Sequence, residues 1–384
     1  MTEKRLFMQI VTGPRQTGKT TSILQALESL SMPYHYISAD DPILVSPEWL
    51  RNEWEKARIT QKQKGKETIL AIDEIQTVPK WSSMVKLLWD EDTRRKIPLK
   101  IIISGSSSLL IQKGLNESMA GRFEVLHCSH WTYKECKTAF KYKLDDFLFF
   151  GGYPGGAALK HDTERWVSYM GSSIVESVIS RDILQTEEVR KPALLRSLFT
   201  LGASYSAQEL SYTKILGQLL DAGNTVTLAH YLELLNKANI LCGLQKYSAN
   251  KLRERQSSPR FMVYDTSLLI WAAGVSRKLF LEMPDTRGHL VESAVGAYLL
   301  ARGKEEGFTL YWWRERDKEV DFVLESGINT GRKTALTAIE VKSGRIKHTG
   351  CSLEFIKRYP DALSLVIGND NLEDFLTGKI PLFK

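Results

Sequence analysis

Residues 13–20 carry the side chains best suited to phosphate chemistry. The run Gly-Pro-Arg-Gln-Thr-Gly-Lys-Thr has two glycines separated by four residues and followed by Lys and Thr, which is the spacing of a phosphate-binding loop. Glycines let successive backbone N–H groups turn inward around an anion. Lys19 would reach the β- and γ-phosphates, and the Thr20 hydroxyl would ligate Mg2+. The predicted nucleotide-binding residues are Gly13, Pro14, Arg15, Gln16, Thr17, Gly18, Lys19, Thr20 and Thr21.

A second set of chemical groups follows an apolar run at residues 68–72. Asp73 and Glu74 come directly after this run, a pattern typical of a strand that is buried on both faces and opens at a ligand crevice. Asp73 would hold Mg2+, and Glu74 would polarise the attacking water. Ser104 ends another apolar run, 99–103. It would contact the γ-phosphate or the water if its strand lies between the other two motif strands, although small hydroxyl residues also form ordinary turns.

Hydrophobic patterning predicts the elements that position these groups. Residues 7–11 are typical of a buried strand that enters the loop, and residues 21–30 have apolar side chains at helical spacing. A helix that starts near Lys19 would point its positive N-terminal end at a bound phosphate. A strand at 34–38 and a helix at 47–58 follow. We expect an α/β domain with a parallel sheet.

These motifs together resemble an AAA+ ATPase. The resemblance rests on residues 13–21, 72–76, 104–108 and 120–122. It implies that the nucleotide is ATP and that Arg122 serves as an arginine finger in a neighbouring subunit's site, which requires a homo-oligomer. A surface arginine at the start of a strand is the alternative for Arg122.

The middle of the chain, 191–244, has a helical pattern. Residues 206–210 and 224–232 suit the second and third helices of a helix-turn-helix, with Asn224 as the cap of the last helix. Residues 240–247 would form a wing strand. Basic residues that would grip nucleic-acid phosphates follow at Lys246, Lys251, Arg253, Arg255 and Arg260. A winged helix that docks protein is the alternative, because the exposed face of the last helix is not notably basic.

A group of acids and one lysine near the C-terminus suggests a second site. Glu340 and Lys342 are two residues apart on a predicted strand and therefore share a face. Asp321 lies on a preceding strand, and Glu292 lies on a predicted helix. The spacing resembles the PD-(D/E)xK nuclease fold, in which the acids hold Mg2+ and the lysine positions or activates water. A silent acid cluster on half-exposed strands is the alternative.

Composition limits the class of protein. The chain has 384 residues, a net charge of +7 and 43% hydrophobic residues, which predicts two or three domains with proper cores and permits contact with nucleic acid. The four cysteines form no CxxC pair, so a reducing cytoplasm is expected. The charged residues at 3–5 predict no secretion leader, and no apolar stretch is long enough to cross a membrane.

The whole chain resembles bacterial and archaeal predicted ATPases with an AAA+ core, a winged-helix-like middle and a restriction-endonuclease-like end. The expected domains are an AAA+ P-loop domain at 1–130, a helical linker at 131–185, a winged-helix-like domain at 186–275 and an α/β nuclease-like domain at 276–384. The first functional hypothesis is an ATPase that couples nucleotide state to a C-terminal half that binds DNA or RNA. A scaffold switch whose C-terminal half binds protein, and an ATP-regulated nuclease, are the alternatives.

Overall fold

The computed structural model forms two compact units, Met1–Ser129 and His130–Lys384. The residues that it describes are 3–41, 45–105, 111, 113–115, 119–219, 224–248, 258–274, 276–327, 334–342 and 350–383.

The first unit is built on a five-stranded sheet of parallel strands in the order β2-β3-β4-β1-β5. Every residue of β3 and β4 is buried, which is why the middle of each strand, residues 69–72 and 101–103, is apolar. The elements are β1 (Met8–Thr12), α1 (Lys19–Ser29), β2 (Tyr34–Ser38), α2 (Pro47–Lys64), β3 (Thr68–Asp73), α3 (Trp81–Arg95), β4 (Leu99–Ser104) and β5 (Phe123–His127). The expected parallel α/β domain is confirmed.

A buried ion pair joins α2 to α3 on one face of this sheet. The Nε of Arg58 donates to Asp92 at 2.7 Å, and the indole Nε1 of Trp54 donates to the other carboxylate oxygen at 2.8 Å. Arg58 is 6% exposed and Asp92 is fully buried. Because the two charges have lost most of their water, each depends on the other to remain in the core.

The second unit begins with a run of helices. They are α4 (Tyr133–Phe140), α5 (Leu144–Phe150), α6 (Pro154–Ala157), α7 (Thr163–Tyr169), α8 (Pro192–Ser204), α9 (Tyr212–Gln218) and α10 (Thr225–Lys237). Beyond α7 the chain continues as π-helical turns at Met170–Val175 and Val178–Ile183, within the segment expected to be a helical linker. No helix among the described residues is long and apolar enough to span a bilayer.

The helix expected at residues 206–210 is wrong. This segment pairs with β7 (Arg260–Val263) instead, through hydrogen bonds from Ala207 N to Phe261 O (2.8 Å) and from Phe261 N to Gln208 O (3.0 Å). Ala207 has φ +64°, which no helix allows. The helix starts later, at α9, after the capping residue Ser211.

The third helix of this region is as expected. The side chain of Asn224 accepts a hydrogen bond from Thr227 N at 2.8 Å and caps α10, while Leu228 and Leu235 lie in the core. β6 (Leu241–Leu244) follows and forms an antiparallel pair with β7.

The rest of the second unit is a helix-flanked mixed sheet. Its strand order is β11-β10-β9-β8, with a parallel pair at β10 and β11 and antiparallel pairs elsewhere. The remaining elements are α11 (Thr266–Ala273), α12 (Arg277–Glu282), α13 (Pro284–Glu306), β8 (Phe308–Glu315), β9 (Lys318–Ser326), β10 (Ala335–Val341), α14 (Gly350–Arg358), β11 (Leu363–Ile367) and α15 (Leu372–Leu376). Val320, Val323 and Ala338 pack there against Phe355.

The buried ion pair generates a stability prediction. Arg58→Met should lower the free energy of unfolding by about 3–5 kcal/mol, because it leaves the Asp92 carboxylate buried without its cation. Arg51→Met is the matched control on the same helix. Arg51 lies 3.8 Å from Glu91 and is more exposed, so its loss should cost less than about 1 kcal/mol. Urea unfolding followed by tryptophan fluorescence measures both, and equal losses would contradict the prediction.

Candidate functional site

Three neighbouring strands bring the motifs of the first unit to one edge of its sheet. β4 lies between β3 and β1, and the three strands run parallel. Their carboxyl ends therefore open at the same edge, which is where ligands of open α/β sheets bind. The expectation that the strand of Ser104 lies between the other two motif strands is confirmed.

The phosphate loop passes close to a neighbouring strand because residue 13 lacks a side chain. A Cβ on Gly13 would lie 2.1 Å from the carbonyl oxygen of Cys128. Gly18, the residue before α1, has φ +87°, a left-handed conformation that glycine adopts without strain. Backbone geometry thus requires both glycines of the motif.

The loop holds the ammonium group of Lys19 in its interior. Nζ of Lys19 donates to the carbonyl oxygens of Pro14 (2.6 Å) and Gly13 (3.1 Å), and Thr17 Oγ1 donates to Pro14 O at 3.0 Å. This positive charge lies at the N-terminus of α1, where backbone N–H groups and the helix dipole also favour an anion. Of the other predicted loop residues, Arg15 is half-buried, and Gln16 and Thr21 are exposed.

The carboxylate of Asp73 joins the second motif to the first. Its Oδ2 accepts a hydrogen bond from Thr20 Oγ1 at 2.5 Å, and its Oδ1 accepts one from Ser104 Oγ at 2.6 Å. Asp73 is buried, so these donors replace the water that the carboxylate loses. A carboxylate and a hydroxyl side by side are hard oxygen ligands of the kind that Mg2+ prefers.

Glu74 occupies the turn that leaves β3. Its backbone has φ +53°, which is uncommon for a residue with a side chain. One of its carboxylate oxygens accepts a hydrogen bond from the Gln76 side-chain amide. Since Glu74 follows Asp73 in the chain, a second carboxylate group stands at the same strand end.

Sequence reasoning missed Tyr36 and Asp40, which β2 brings to this site. The Tyr36 hydroxyl donates to Asp73 Oδ2 at 3.3 Å. Burial and the negative charge of Asp73 raise the pKa of Tyr36 to about 12. Burial, with the carboxylates of Glu74 and Asp73 nearby, raises the pKa of Asp40. Both residues belong to the strand and turn that lie beside β3. The sequence alone does not show this, because it depends on the order of the strands in the sheet.

Arg122 lies at the other edge of the sheet. It directly precedes β5, and its carbonyl oxygen accepts a hydrogen bond from Met8 N at the start of β1. Its guanidinium group binds both carboxylate oxygens of Asp90 on α3, at 2.9 and 3.1 Å. The sheet therefore separates Arg122 from the phosphate loop of its own unit.

In the second unit, an arginine from β7 lies among the predicted acids. Arg260 is 4% exposed, and its guanidinium binds Glu292, Glu319 at 2.9 Å and, at 3.7 Å, Asp321. It also donates to the carbonyl oxygens of Ala207 and Asp321. Burial raises the pKa of both Glu292 and Asp321, and repulsion from Asp321 and from Glu319, respectively, adds to the rise. A cation of the chain itself thus offsets part of the negative charge of this cluster.

The remaining two members of the predicted second site pair with each other. Lys342 Nζ lies 2.6 Å from Glu340 Oε1, and Asp321 Oδ2 accepts a hydrogen bond from Val341 N at 2.7 Å. Within the described part of the chain, no group of three or more His, Cys, Asp or Glu side chains is arranged to hold a metal ion.

Some sequence predictions lie outside the described residues. They are the serines at 106–108 after β4 and the basic residues Lys251, Arg253 and Arg255.

Comparison with known families defines the class of the first unit. Residues 7–137 match the AAA domain family. The first unit is thus similar to the AAA domain family, and its five-stranded parallel sheet and phosphate loop agree with that similarity. Residues 141–279 and 287–379 match two domains of unknown function, DUF8612 and DUF4143.

Individual relatives extend over most of the chain. The uncharacterized protein Rv2008c of Mycobacterium tuberculosis is 28% identical over 82% of this chain and 67% of its own length. The uncharacterized protein MJ1544 of Methanocaldococcus jannaschii is 24% identical over 83% of this chain and 72% of its own. Among solved structures, the Walker-type ATPase PabY2304 of Pyrococcus abyssi superposes with a TM-score of 0.50 at 15% identity, covering 69% of this chain and 90% of that one. This likeness concerns the fold.

The Arg260 cluster generates a pH-dependent prediction. Arg260→Met should lower the free energy of unfolding by about 3–5 kcal/mol at pH 8, because it leaves buried carboxylates without a cation. This loss of unfolding free energy should become smaller as the pH falls toward 5. A carboxyl whose folded pKa is raised binds a proton more readily in the folded chain, so protonation favours folding below that raised pKa.

Arg314→Met is the control for this variant. Arg314 also pairs with Glu319 but is 44% exposed, so its loss should cost less than about 1 kcal/mol at either pH. Urea unfolding at both pH values measures the difference. A pH-independent loss for Arg260→Met would contradict the cluster as described.

Proposed function

We propose that this chain hydrolyses ATP with Mg2+ at the carboxyl edge of its first sheet. The observation that carries the proposal is the carboxylate of Asp73, which meets the hydroxyl of Thr20 at 2.5 Å and that of Ser104 at 2.6 Å. A phosphate loop, an acidic strand end and a polar strand end thus converge within hydrogen-bonding distance. The match of residues 7–137 to the AAA domain family supports the same reading.

The loop residues bind and orient the phosphates in this proposal. Gly13 and Gly18 allow the backbone N–H groups to surround an anion, and Lys19 exchanges its loop carbonyl partners for phosphate oxygens. Thr20 and Asp73 would hold the Mg2+, which when bound neutralises charge on the phosphates. Thr20, Ser104 and Tyr36 hold the Asp73 carboxylate in place through their hydroxyl groups.

Glu74 is the residue that we assign to the attacking water. It accepts the water proton in hydrogen-bond contact, and Ser104 orients the γ-phosphate or that water. Arg122 lies across the sheet from its own phosphate loop, so its assignment as an arginine finger requires the site of a second copy. For Arg122 to act there, the chain must form a homo-oligomer, and the ion pair between Arg122 and Asp90 must break.

The second unit is proposed to respond to the nucleotide state and to bind nucleic acid. Its helices α8 to α10, followed by the β6–β7 hairpin, suit a winged helix. In this proposal residues 131–185 form the linker, 186–275 the winged-helix-like domain and 276–384 a nuclease-like fold.

The position of Arg260 favours a second candidate function. In this function the C-terminal half is a switch that binds protein, and its acidic residues have no catalytic role. The guanidinium takes the place of a metal among Glu292, Glu319 and Asp321, so the nuclease alternative has no support from this geometry.

The catalytic assignment is tested at Glu74. Glu74→Gln should lower the rate of phosphate release at least about 100-fold, since a general base contributes about 10²–10⁴-fold, while ATP affinity stays within a factor of about two. Lys19→Ala should instead abolish ATP binding. Glu124→Gln, an exposed acid on β5, is the control that should change neither. Normal turnover by Glu74→Gln would exclude Glu74 as the base.

The position of Tyr36 predicts a change in metal affinity. Tyr36→Phe removes one donor to Asp73 and should raise the concentration of Mn2+ needed to saturate the ATP-bound protein by about 3- to 10-fold, as one hydrogen bond to a charged group contributes about 1.5 kcal/mol or less here. Electron paramagnetic resonance of free Mn2+ measures this directly. Tyr34→Phe changes a more exposed tyrosine two residues away on the same strand and should have no effect. Equal effects would mean that Tyr36 acts only through folding.

A further inference from the structure

Six exposed cations lie at the amino-terminal edge of the first unit's sheet, opposite the phosphate loop. We name them the basic edge: Lys62, Lys64, Lys66, Arg94, Arg95 and Lys96. Three follow from the end of α2 and the turn before β3, and three from the end of α3 and the turn before β4. The two groups are far apart in sequence, so it is the fold that brings them together.

Strand pairing makes the two groups of cations neighbours. β3 and β4 are adjacent and parallel, with Thr68 opposite Leu99, and Thr68 N donates to Pro98 O at 3.2 Å. Neighbouring strands lie about 4.8 Å apart, and the turns that enter them are correspondingly close. The two groups of cations therefore present their charge to solvent at the same edge of the sheet.

The carboxylates beside the basic edge already have other partners. Glu67 pairs with Lys100 at 3.0 Å, Asp92 with Arg58 at 2.7 Å, and Asp90 with Arg122 at 2.9 Å. Within the described part of the chain, none of the six cations forms a salt bridge.

Helix dipoles do not explain six cations. Basic residues are favourable at helix C-termini, but each terminus carries only about half a negative charge. The ends of α2 and α3 together supply about −1. The six cations and the two helix ends together therefore leave a net charge of about +5. A surface with so much uncompensated charge of one sign attracts a polyanion.

We propose that the basic edge binds the phosphate backbone of a nucleic acid. A duplex carries one negative charge for about every 1.7 Å of its length, so a short segment offers a phosphate to each of several cations at once. Contacts to phosphates carry no base information, so we expect binding independent of sequence. This contact lies on the ATPase unit, does not involve the C-terminal half and holds whether or not the chain hydrolyses ATP.

The test compares two variants of the full chain that lose the same charge. Lys62, Lys64, Arg94 and Arg95 are changed to Gln together in the first variant. Lys66 and Lys96 are kept, so that this variant and its control each lose four charges. The control changes Lys134, Lys143, Arg181 and Lys278 to Gln, which are exposed cations of the second unit outside helices α8 to α10. Thermal melting checks that both variants fold.

The measurement is fluorescence anisotropy of a short labelled DNA duplex between about 50 and 200 mM salt. The basic-edge variant should bind at least about tenfold more weakly, and the slope of log K against log salt should fall in magnitude by up to about 3.6, or 0.9 for each lost phosphate contact. The control should keep the wild-type slope. If the basic-edge variant does not fold, the pairs Lys62→Gln with Lys64→Gln and Arg94→Gln with Arg95→Gln should each give about half of this change.

Three results would overturn the proposal. They are an unchanged slope in the basic-edge variant, a loss confined to the control variant, and wild-type binding to anionic lipid vesicles without binding to DNA or RNA. A loss confined to the control would instead place nucleic-acid contact in the second unit. Retained DNA binding by Glu74→Gln separates this proposal from the one on ATP hydrolysis.

Discussion

The hydrogen bond between Thr20 and Asp73 is the contact on which the candidate site depends. It joins the first turn of the helix after the phosphate loop to the end of a strand more than fifty residues away. Ser104 and Tyr36 hold the same carboxylate from the strands on either side of β3. A buried carboxylate stays charged only when such donors replace its water. The four groups therefore position one another, and none of them would be correctly placed without the parallel sheet.

The direction of that sheet divides the first unit into two chemically different edges. At the carboxyl edge, strand ends supply Asp73, Glu74 and Ser104, and the phosphate loop supplies Lys19. At the amino edge, the ends of α2 and α3 supply a row of cations, and Arg122 is held by Asp90. In a parallel α/β unit every helix ends where the next strand begins. Strand ends therefore place the ligand-binding groups at one edge, and the turns after the helices place the cations at the other, in greater number than the helix dipoles account for.

The sequence was sufficient for the parts of the site that are local. The phosphate loop, the acidic strand end and the strand of Ser104 each follow from a short pattern, and their assembly follows from the rule for parallel strands. Tyr36 and Arg260 could not be predicted in this way. Tyr36 matters only because β2 lies next to β3, and Arg260 reaches acids that are 32 to 61 residues away. The helix expected at 206–210 failed for the same reason, since pairing with β7 overrode local helical preference.

The central claim is that Asp73 and Thr20 form the metal-binding half of an ATP-hydrolysing site. The most direct measurement is phosphate release from ATP by the purified full-length chain, with Mg2+ and with the metal removed by a chelator. The account predicts turnover that requires Mg2+, saturates with ATP and returns when Mg2+ is restored. ATP hydrolysis at the same rate after chelation, or ATP binding with no hydrolysis under either condition, would contradict it.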